Sequence, residues 1–371
     1  MRVMVSGGGT GGHIYPAITI IERLRAQDPS VEILYVGTKK GLESDIIPKE
    51  NIPFATIEVA GFQRKLTLEN LAIAGRAAKG VWQALSLVRK FRPDVVIGTG
   101  GYVCGPVLLA AGMLGIPTMI QEQNVVPGMT NKIASRFAAK VAVGYEEAGK
   151  YFPNREKIVA TGNPIRAAVM LARRADGLKE FGLDESKKTI LVSGGSRGAR
   201  SINTALIALH EKFRHRDDVQ ILHITGQSEY NRVIDSLKEK GIDWESAGNI
   251  KIVPYAYHMP NALATADLAI FRAGALGLAE LAARGIPSVL VPYPYATANH
   301  QEYNARIVEK HGAAVVIKDS ELTGEVLLAK VEELLAEPNT LAKMAAASLE
   351  LGRAEAADDI ARLVRTLAKR G

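Results

Sequence analysis

Gly7, Gly9 and Gly12 follow the apolar run Val3 to Val5 at G-x-G-x-x-G spacing, and His13 comes directly after them. Glycines so placed permit a tight strand-to-helix turn whose backbone N–H groups can face a phosphate at a helix N-terminus. The helix start aims His13 into whatever the turn lines, and an imidazole titrates near neutral pH, so His13 is a candidate general base. The plainer role is a helix-start histidine bonded to a backbone carbonyl, and the residues alone leave both open. A nicotinamide or flavin enzyme would next carry an acid at the end of the second strand to hold a ribose. Here VEILYV leads to Gly37 and Thr38, which argues against a dinucleotide.

Four further clusters carry polar or glycine-rich chemistry. The turn Ser193-Gly194-Gly195-Ser196-Arg197-Gly198-Ala199 offers consecutive N–H groups and a hydroxyl suited to a diphosphate, but lacks the Lys-Ser/Thr of an ATP-hydrolysing P-loop. Gly98-Thr99-Gly100-Gly101-Tyr102 is another such turn. From Phe271 to Glu280, Arg272 can meet phosphate charge and Glu280 can accept two hydrogen bonds from adjacent sugar hydroxyls. The run Asn299-His300-Gln301-Glu302-Tyr303-Asn304-Ala305 suits neutral hydrogen bonding to a sugar. No H-E-x-x-H, Cys/His cluster or Asp-x-Asp pair occurs, so no metal is expected and the charge of a leaving diphosphate falls to Arg and helix N-termini.

Positioning these groups requires two α/β domains. Short apolar runs at Val3, Val31, Val95, Thr118 and Lys140 alternate with helical patterns, and the pattern restarts at Thr189, Val219, Ile250, Leu268 and Ser288. The expected division is 1–163 and 164–353, with a helix in 354–371 that packs on one of the two. A chain of 371 residues exceeds one ordinary core, and 47% hydrophobic with 23% charged residues is a globular composition. The uncharged stretch Val95 to Gln121 is long enough to span a bilayer, but its six glycines and two prolines break it into strand, turn, helix and strand. One cysteine, Cys104, excludes an internal disulfide, and the N-terminus shows no signal-peptide pattern, so a cytoplasmic location is expected. Residues 1–163 hold 19 basic and 13 acidic side chains, so most of the formal +7 belongs to the first half.

Taken in order, GGGTGGH, GTGGY, EQN with PGMTNK, GNPIR, SGGSRGA, FRAGAL with a following Ala-Glu, and HQEYNA resemble the MurG family of bacterial peptidoglycan glycosyltransferases over essentially the whole chain. The resemblance implies a GT-B fold, two Rossmann-like parallel-sheet domains facing each other across a cleft, with the terminal helix crossing back onto the first. It implies an inverting transfer of N-acetylglucosamine from UDP-N-acetylglucosamine to the 4-hydroxyl of the N-acetylmuramyl group of lipid I, giving lipid II for the cell wall. By the same resemblance Thr10, Gly11, Gly12 and Asn124 line the sugar side. Arg166 and Ser196 meet the donor diphosphate, Glu280 the ribose and Gln301 the sugar, while the backbone of Ala256 meets the uracil. Arg272, Ala275 and Leu276 complete the donor set, and Gly100, Gly101 and Tyr102 belong to the acceptor side. The family commonly has Thr or Ser where this chain has Gly277 and Ile where it has Ala256; a backbone contact survives the second change, but a hydroxyl contact does not survive the first.

Acceptor delivery is expected from the segment Ala60 to Leu66, with Phe62, Arg64 and Lys65, and from the helix behind it with Lys79 and Trp82. From Gly61 to Arg92 there are seven basic residues and one acid, Glu69. An apolar surface rimmed by cations suits the anionic cytoplasmic face of a membrane, where the chain would sit peripherally. The expected partners are UDP-N-acetylglucosamine, lipid I, that membrane surface and other cell-wall synthesis proteins, with no nucleic acid. The alternatives are a UDP-N-acetylglucosamine epimerase, which needs no basic apolar patch, and another lipid glycosyltransferase of the same fold.

Overall fold

Val3, Met4 and Val5 are all fully buried although consecutive strand residues point to opposite faces, so this strand is covered on both sides. The same holds for Val95, Val96 and Ile97, and for Ile190, Leu191 and Val192. Such runs belong to parallel sheets sandwiched by helices, and the computed structural model contains two of them. It describes residues 1–59, 69–195 and 197–369, with the backbone alone at 69–77 and Pro338.

The first sheet contains β1 (Arg2–Gly7), β2 (Glu32–Gly37), β3 (Phe54–Thr56), β4 (Val95–Gly100), β5 (Thr118–Glu122), β6 (Lys140–Val143) and β7 (Ile158–Ala160). Its order is β3-β2-β1-β4-β5-β6-β7, with every pair parallel. The second contains β8 (Lys188–Ser193), β9 (Val219–Ile224), β10 (Ile250–Val253), β11 (Leu268–Phe271), β12 (Ser288–Leu290) and β13 (Ala314–Val316), in the order β10-β9-β8-β11-β12-β13, again all parallel. Each sheet starts in the middle, grows one way for two strands and then the other way. Both are therefore doubly wound, Rossmann-like sheets with a switch point beside the first strand, where ligands of such folds bind at the strand carboxyl ends.

The chain divides into a first unit, Met1–Ile165 with the segment from Glu355 on, and a second unit, Arg166–Ala354. In the first, helices Gly11–Gln27 and Ala356–Ala368 cover the face bearing Val3, Val5 and Ile97. Ile360, Val364 and Leu367 bury the C-terminal helix there, and Asp358 accepts a hydrogen bond from Arg23 Nε at 2.6 Å. The opposite face, with Met4, Val96 and Ile120, is covered by residues of helices Glu69–Phe91 and Cys104–Met113. In the second unit Ile190, Val192, Ile221 and Ile270 pack against helices Arg200–Phe213 and Gly324–Ala336.

Val95 to Gln121 folds as β4, the helix Cys104–Met113 and most of β5, and among the described residues no helix is long and apolar enough to cross a membrane. The strands β3, β7 and β13 were not anticipated. Each has three residues at a sheet edge, too short to display a period.

Candidate active site

The two glycine-rich turns of the first unit leave β1 and β4, the strands flanking its switch point. Gly8 N–H donates to Gly100 O at 3.2 Å, and a Cβ on Gly101 would collide with Gly8 O, so the turns lie backbone against backbone. Gly100 and Gly101 have φ of +117° and +83°, which favour glycine. Cys104 Sγ lies 2.8 Å from Ser6 O and 2.9 Å from Gly100 O, tying the two strand ends together. Burial pushes its thiol up to about 12, so it stays a neutral donor.

His13, in the first turn of helix Gly11–Gln27, stands over this junction. Its Nδ1 is 3.0 Å from Gly8 O and 3.3 Å from Thr10 Oγ1. A carbonyl only accepts, so Nδ1 carries the proton and Nε2 is the basic nitrogen. The ring packs on Gly100, where a Cβ would come within 2.5 Å of its Cδ2 and 2.8 Å of its Nε2. Thr99 Oγ1 donates to His13 O at 2.7 Å, fixing the helix start to β4. Thr10, Gly11, Gly12, His13, Gly100, Gly101 and Tyr102 thus gather at one switch point, with Tyr102 beside Gly9.

Asn124 follows β5 in a tightly bonded corner. The buried Glu122 carboxylate accepts from Asn124 N–H (3.0 Å), Gly128 N–H (3.1 Å) and Asn131 Nδ2 (2.8 Å). Burial pushes the Glu122 carboxyl up, against those bonds. Gln123 Nε2 donates to Thr99 O at 2.7 Å, and Asn163 Nδ2 to Gln123 O at 3.0 Å. The EQN and GNP motifs are therefore one buried polar network that sets the carbonyl end of β5.

Sequence reasoning missed Glu43. This fully buried residue starts the helix Glu43–Lys49, and its Oε2 accepts from Gly9 N–H at 3.0 Å while Oε1 accepts from Thr38 N–H (3.0 Å) and Thr38 Oγ1 (2.7 Å). Gly8, Gly37 and Gly41 all lack room for a Cβ because the Glu43 side chain fills it. An acid ringed by Gly37, Thr38 and Gly41 was the available signal, though its partner Gly9 is distant in sequence.

In the second unit, the turn after β8 closes on itself, with Gly198 N–H donating to Gly195 O at 2.8 Å. Gly198 and Gly226 have φ of +78° and +84° and touch through backbone, so this turn is braced by the one after β9. Ser196 lies outside the described residues, as do Phe62, Arg64 and Lys65. The helix Ala275–Ala283 begins at the end of β11 and carries Ala275, Leu276 and, one turn on, Glu280. Arg166 donates to Glu280 Oε1 from Nε at 2.9 Å and from a terminal nitrogen at 2.8 Å. Burial raises the Glu280 carboxyl and Arg166 opposes the rise. Ala256 is buried, which leaves its backbone as the group to offer. Gln301 Oε1 accepts from Tyr293 N–H at 2.9 Å, and its helix His300–Lys310 is entered through Ala298 and Asn299 at φ of +52° and +54°, a strained approach for residues with a Cβ.

Two of the expected site cations have acidic partners within their own unit. Arg272, expected to meet phosphate charge, bonds Asp319 Oδ1 (2.5 Å), Ser201 Oγ (2.9 Å) and the carbonyls of Val291 (3.1 Å) and Pro292 (3.2 Å) through its guanidinium. Its charge is matched by Asp319, and it pins the ends of β11 and β12 to the helix Arg200–Phe213. Lys79, expected on the membrane and acceptor side, pairs with Glu58 at 2.9 Å on the exposed face of its helix.

The glycosyltransferase family 28 N-terminal domain matches residues 3–143, and the C-terminal domain of that family matches residues 189–362. The chain belongs to glycosyltransferase family 28. A relative from Desulforamulus reducens is 50% identical over 100% of both chains and is named UDP-N-acetylglucosamine--N-acetylmuramyl-(pentapeptide) pyrophosphoryl-undecaprenol N-acetylglucosamine transferase. Among solved structures, Acinetobacter baumannii MurG is 30% identical with a TM-score of 0.78, covering 98% of this chain and 99% of that one. A putative UDP-N-acetylglucosamine 2-epimerase from Listeria monocytogenes has a TM-score of 0.71 at 16% identity, covering 100% of this chain and 97% of that one, a likeness of fold alone. In family 28 terms, the turns carrying His13 fall within the N-terminal domain match, and the turn after β8 and Glu280 within the C-terminal one.

Proposed function

We infer that this family 28 chain transfers N-acetylglucosamine from UDP-N-acetylglucosamine to the N-acetylmuramyl group of a pyrophosphoryl-undecaprenol acceptor, lipid I, giving lipid II. What carries the reading is the 50% identity, over the full length of both chains, to a transferase of that name. The 4-hydroxyl of the acceptor attacks the anomeric carbon of the donor. Its proton passes to His13 Nε2 as the new C–O bond forms. The anomeric bond to the diphosphate breaks, with its electron pair leaving on the β-phosphate oxygen of UDP, and the configuration inverts from α to β.

Donor handling belongs to the second unit. Backbone N–H groups of the Ser193 to Ala199 turn and of the start of helix Ala275–Ala283 offer positive dipole to the diphosphate without any metal. Glu280 accepts from the ribose hydroxyls, Gln301 holds the sugar and the Ala256 backbone meets the uracil. Arg166, which already holds Glu280 Oε1, and Ser196 supply further contacts to the diphosphate.

The acceptor's lipid carrier calls for a membrane-facing surface on the first unit. Trp82, Met113, Met129 and Ile133 are each more than half exposed there. Met129 and Ile133 also line a groove of about 370 Å³ with Lys132, Arg136, Lys150 and Tyr151. Exposed apolar side chains next to Lys132, Arg136 and Lys150 suit a peripheral position on the anionic cytoplasmic face of a membrane.

The test is transfer of labelled N-acetylglucosamine to a lipid I analogue. A disaccharide product that forms only with acceptor present is expected; conversion of UDP-N-acetylglucosamine alone would make the chain an epimerase and overturn the reading.

A further inference from the structure

His13 Nδ1 donates to the carbonyl of Gly8, and the N–H of Gly9 donates to Glu43 Oε2, each at 3.0 Å. That carbonyl and that N–H are the two ends of a single peptide group. A carboxylate, a peptide and an imidazole are therefore joined in one hydrogen-bonded line. We propose that Glu43 is a positioning residue for His13, acting through the peptide group between Gly8 and Gly9.

The simpler role for Glu43 would be to close the turn after β2, and Oε1 does that by accepting from both polar groups of Thr38. Oε2 leaves that turn and reaches a residue 34 positions earlier in the chain. Burying a carboxylate is costly unless its oxygens are bonded, so a fully buried Glu43 holds Gly9 N–H strongly. Drawing charge toward that N–H polarises the same peptide's carbonyl, which strengthens its hold on the His13 Nδ1 proton. Two consequences follow for the imidazole. Its proton stays on Nδ1, leaving Nε2 basic, and its ring is held in one orientation against Gly100. In Ser-His-Asp triads a carboxylate does the same for histidine by direct contact; here a peptide group lies between.

Space around the line leaves little choice of geometry. Gly8 lacks room for a Cβ because the Glu43 carboxylate occupies it, and Gly101 because Gly8 O does. The Gly8–Gly9 peptide is thus clamped between the helix Glu43–Lys49 and the turn after β4.

The proposal rests on His13 serving as the base, and its tests separate the two claims. His13→Ala should lower kcat by about 10²-fold or more with the donor KM unchanged; full turnover would defeat the base assignment itself. Glu43→Gln, which puts an NH2 group where an acceptor is needed, should lower kcat about tenfold to a hundredfold, again with the donor KM unchanged. Glu43→Asp should recover part of the loss. In the His13→Ala background Glu43→Gln should cost nothing more, since the residue acts only through the imidazole. Additive losses, or a change confined to the donor KM, would overturn the link. NMR of the histidine-labelled parent gives an arm that needs no variant: an Nδ1–H tautomer for His13 and a slowly exchanging Gly9 amide are expected. An Nε2–H tautomer or a rapidly exchanging Gly9 amide would overturn the proposal even if every variant at position 43 failed to fold.

Discussion

Arg166 and Glu280 show how one residue pair joins structure to function. Both of the guanidinium's contacts fall on Oε1 of a carboxylate that sits mostly buried on the helix after β11. If that carboxylate holds two ribose hydroxyls, Glu280→Ala weakens UDP and UDP-N-acetylglucosamine alike, by roughly 1.5–3 kcal/mol, or about tenfold to a hundredfold. Titration calorimetry decides it, because a residue serving only as Arg166's partner would leave UDP affinity unchanged. The sequence marked Glu280 as a candidate because it stands on the helix that opens just after β11. The true setting of Arg272 was not legible there. Its acidic partner Asp319 lies 47 residues away, and a side chain's partner at that separation follows from how strands are ordered, not from local spacing.

At the scale of elements, β9 and the helix Arg200–Phe213 bury a line of polar side chains between them. Asn203 Nδ2 donates to Thr225 O (2.9 Å), and His223 Nε2 donates to Asn203 Oδ1 (3.0 Å). His223 Nδ1 must then accept, here from His210 Nε2 at 3.1 Å. His210 Nδ1 ends the line, buried and with no hydrogen-bond partner among the described residues. Burial holds both imidazoles neutral, pushing His210 down to about 3 and His223 well below its ordinary range. The folded state therefore binds fewer protons than the unfolded chain below pH 6.5. Stability from these residues is complete above pH 6.5 and is lost as pH falls, in the case of His210 down to about pH 3. Between pH 7.5 and 5.5 the parent should lose about 1 kcal/mol more unfolding free energy than His210→Leu. Urea unfolding at both pH values checks this, and equal losses would contradict it. The line also steadies Thr225 and Gly226, which brace the turn after β8.

For the molecule as a whole, the surplus of positive charge in residues 1–163 has a definite consequence. Replacing Lys132, Arg136 and Lys150 together by Gln should weaken binding to anionic vesicles by roughly 1 kcal/mol per charge. Added salt should act in the same direction, because exposed charges are screened over about 8 Å at physiological ionic strength. Transfer to a short-chain, water-soluble acceptor should persist. Co-sedimentation is the measurement, and a triple variant that pellets as well as the parent in low salt excludes this surface. EDTA should leave transfer intact, since the sequence has no Asp-x-Asp pair and the described residues hold no cluster of three metal-ligating side chains. Activity lost to EDTA and restored by Mg²⁺ or Mn²⁺ would contradict it.

Local rules were enough for much of this protein. Short apolar runs marked ten of the strands, and glycine at strand ends marked the turns that carry His13 and the Ser193 to Ala199 segment. Both signals arise within a few residues of chain, where backbone freedom and side-chain alternation act directly. Contacts between distant segments needed the fold. Glu43 reaches Gly9 because β2 lies beside β1, Cys104 reaches Ser6 because β4 lies on the other side of β1, and His210 meets His223 because a helix crosses β9. Sheet order creates those neighbours. It is set by burying both faces of each sheet at once, a property of the assembled elements that no short stretch of sequence contains.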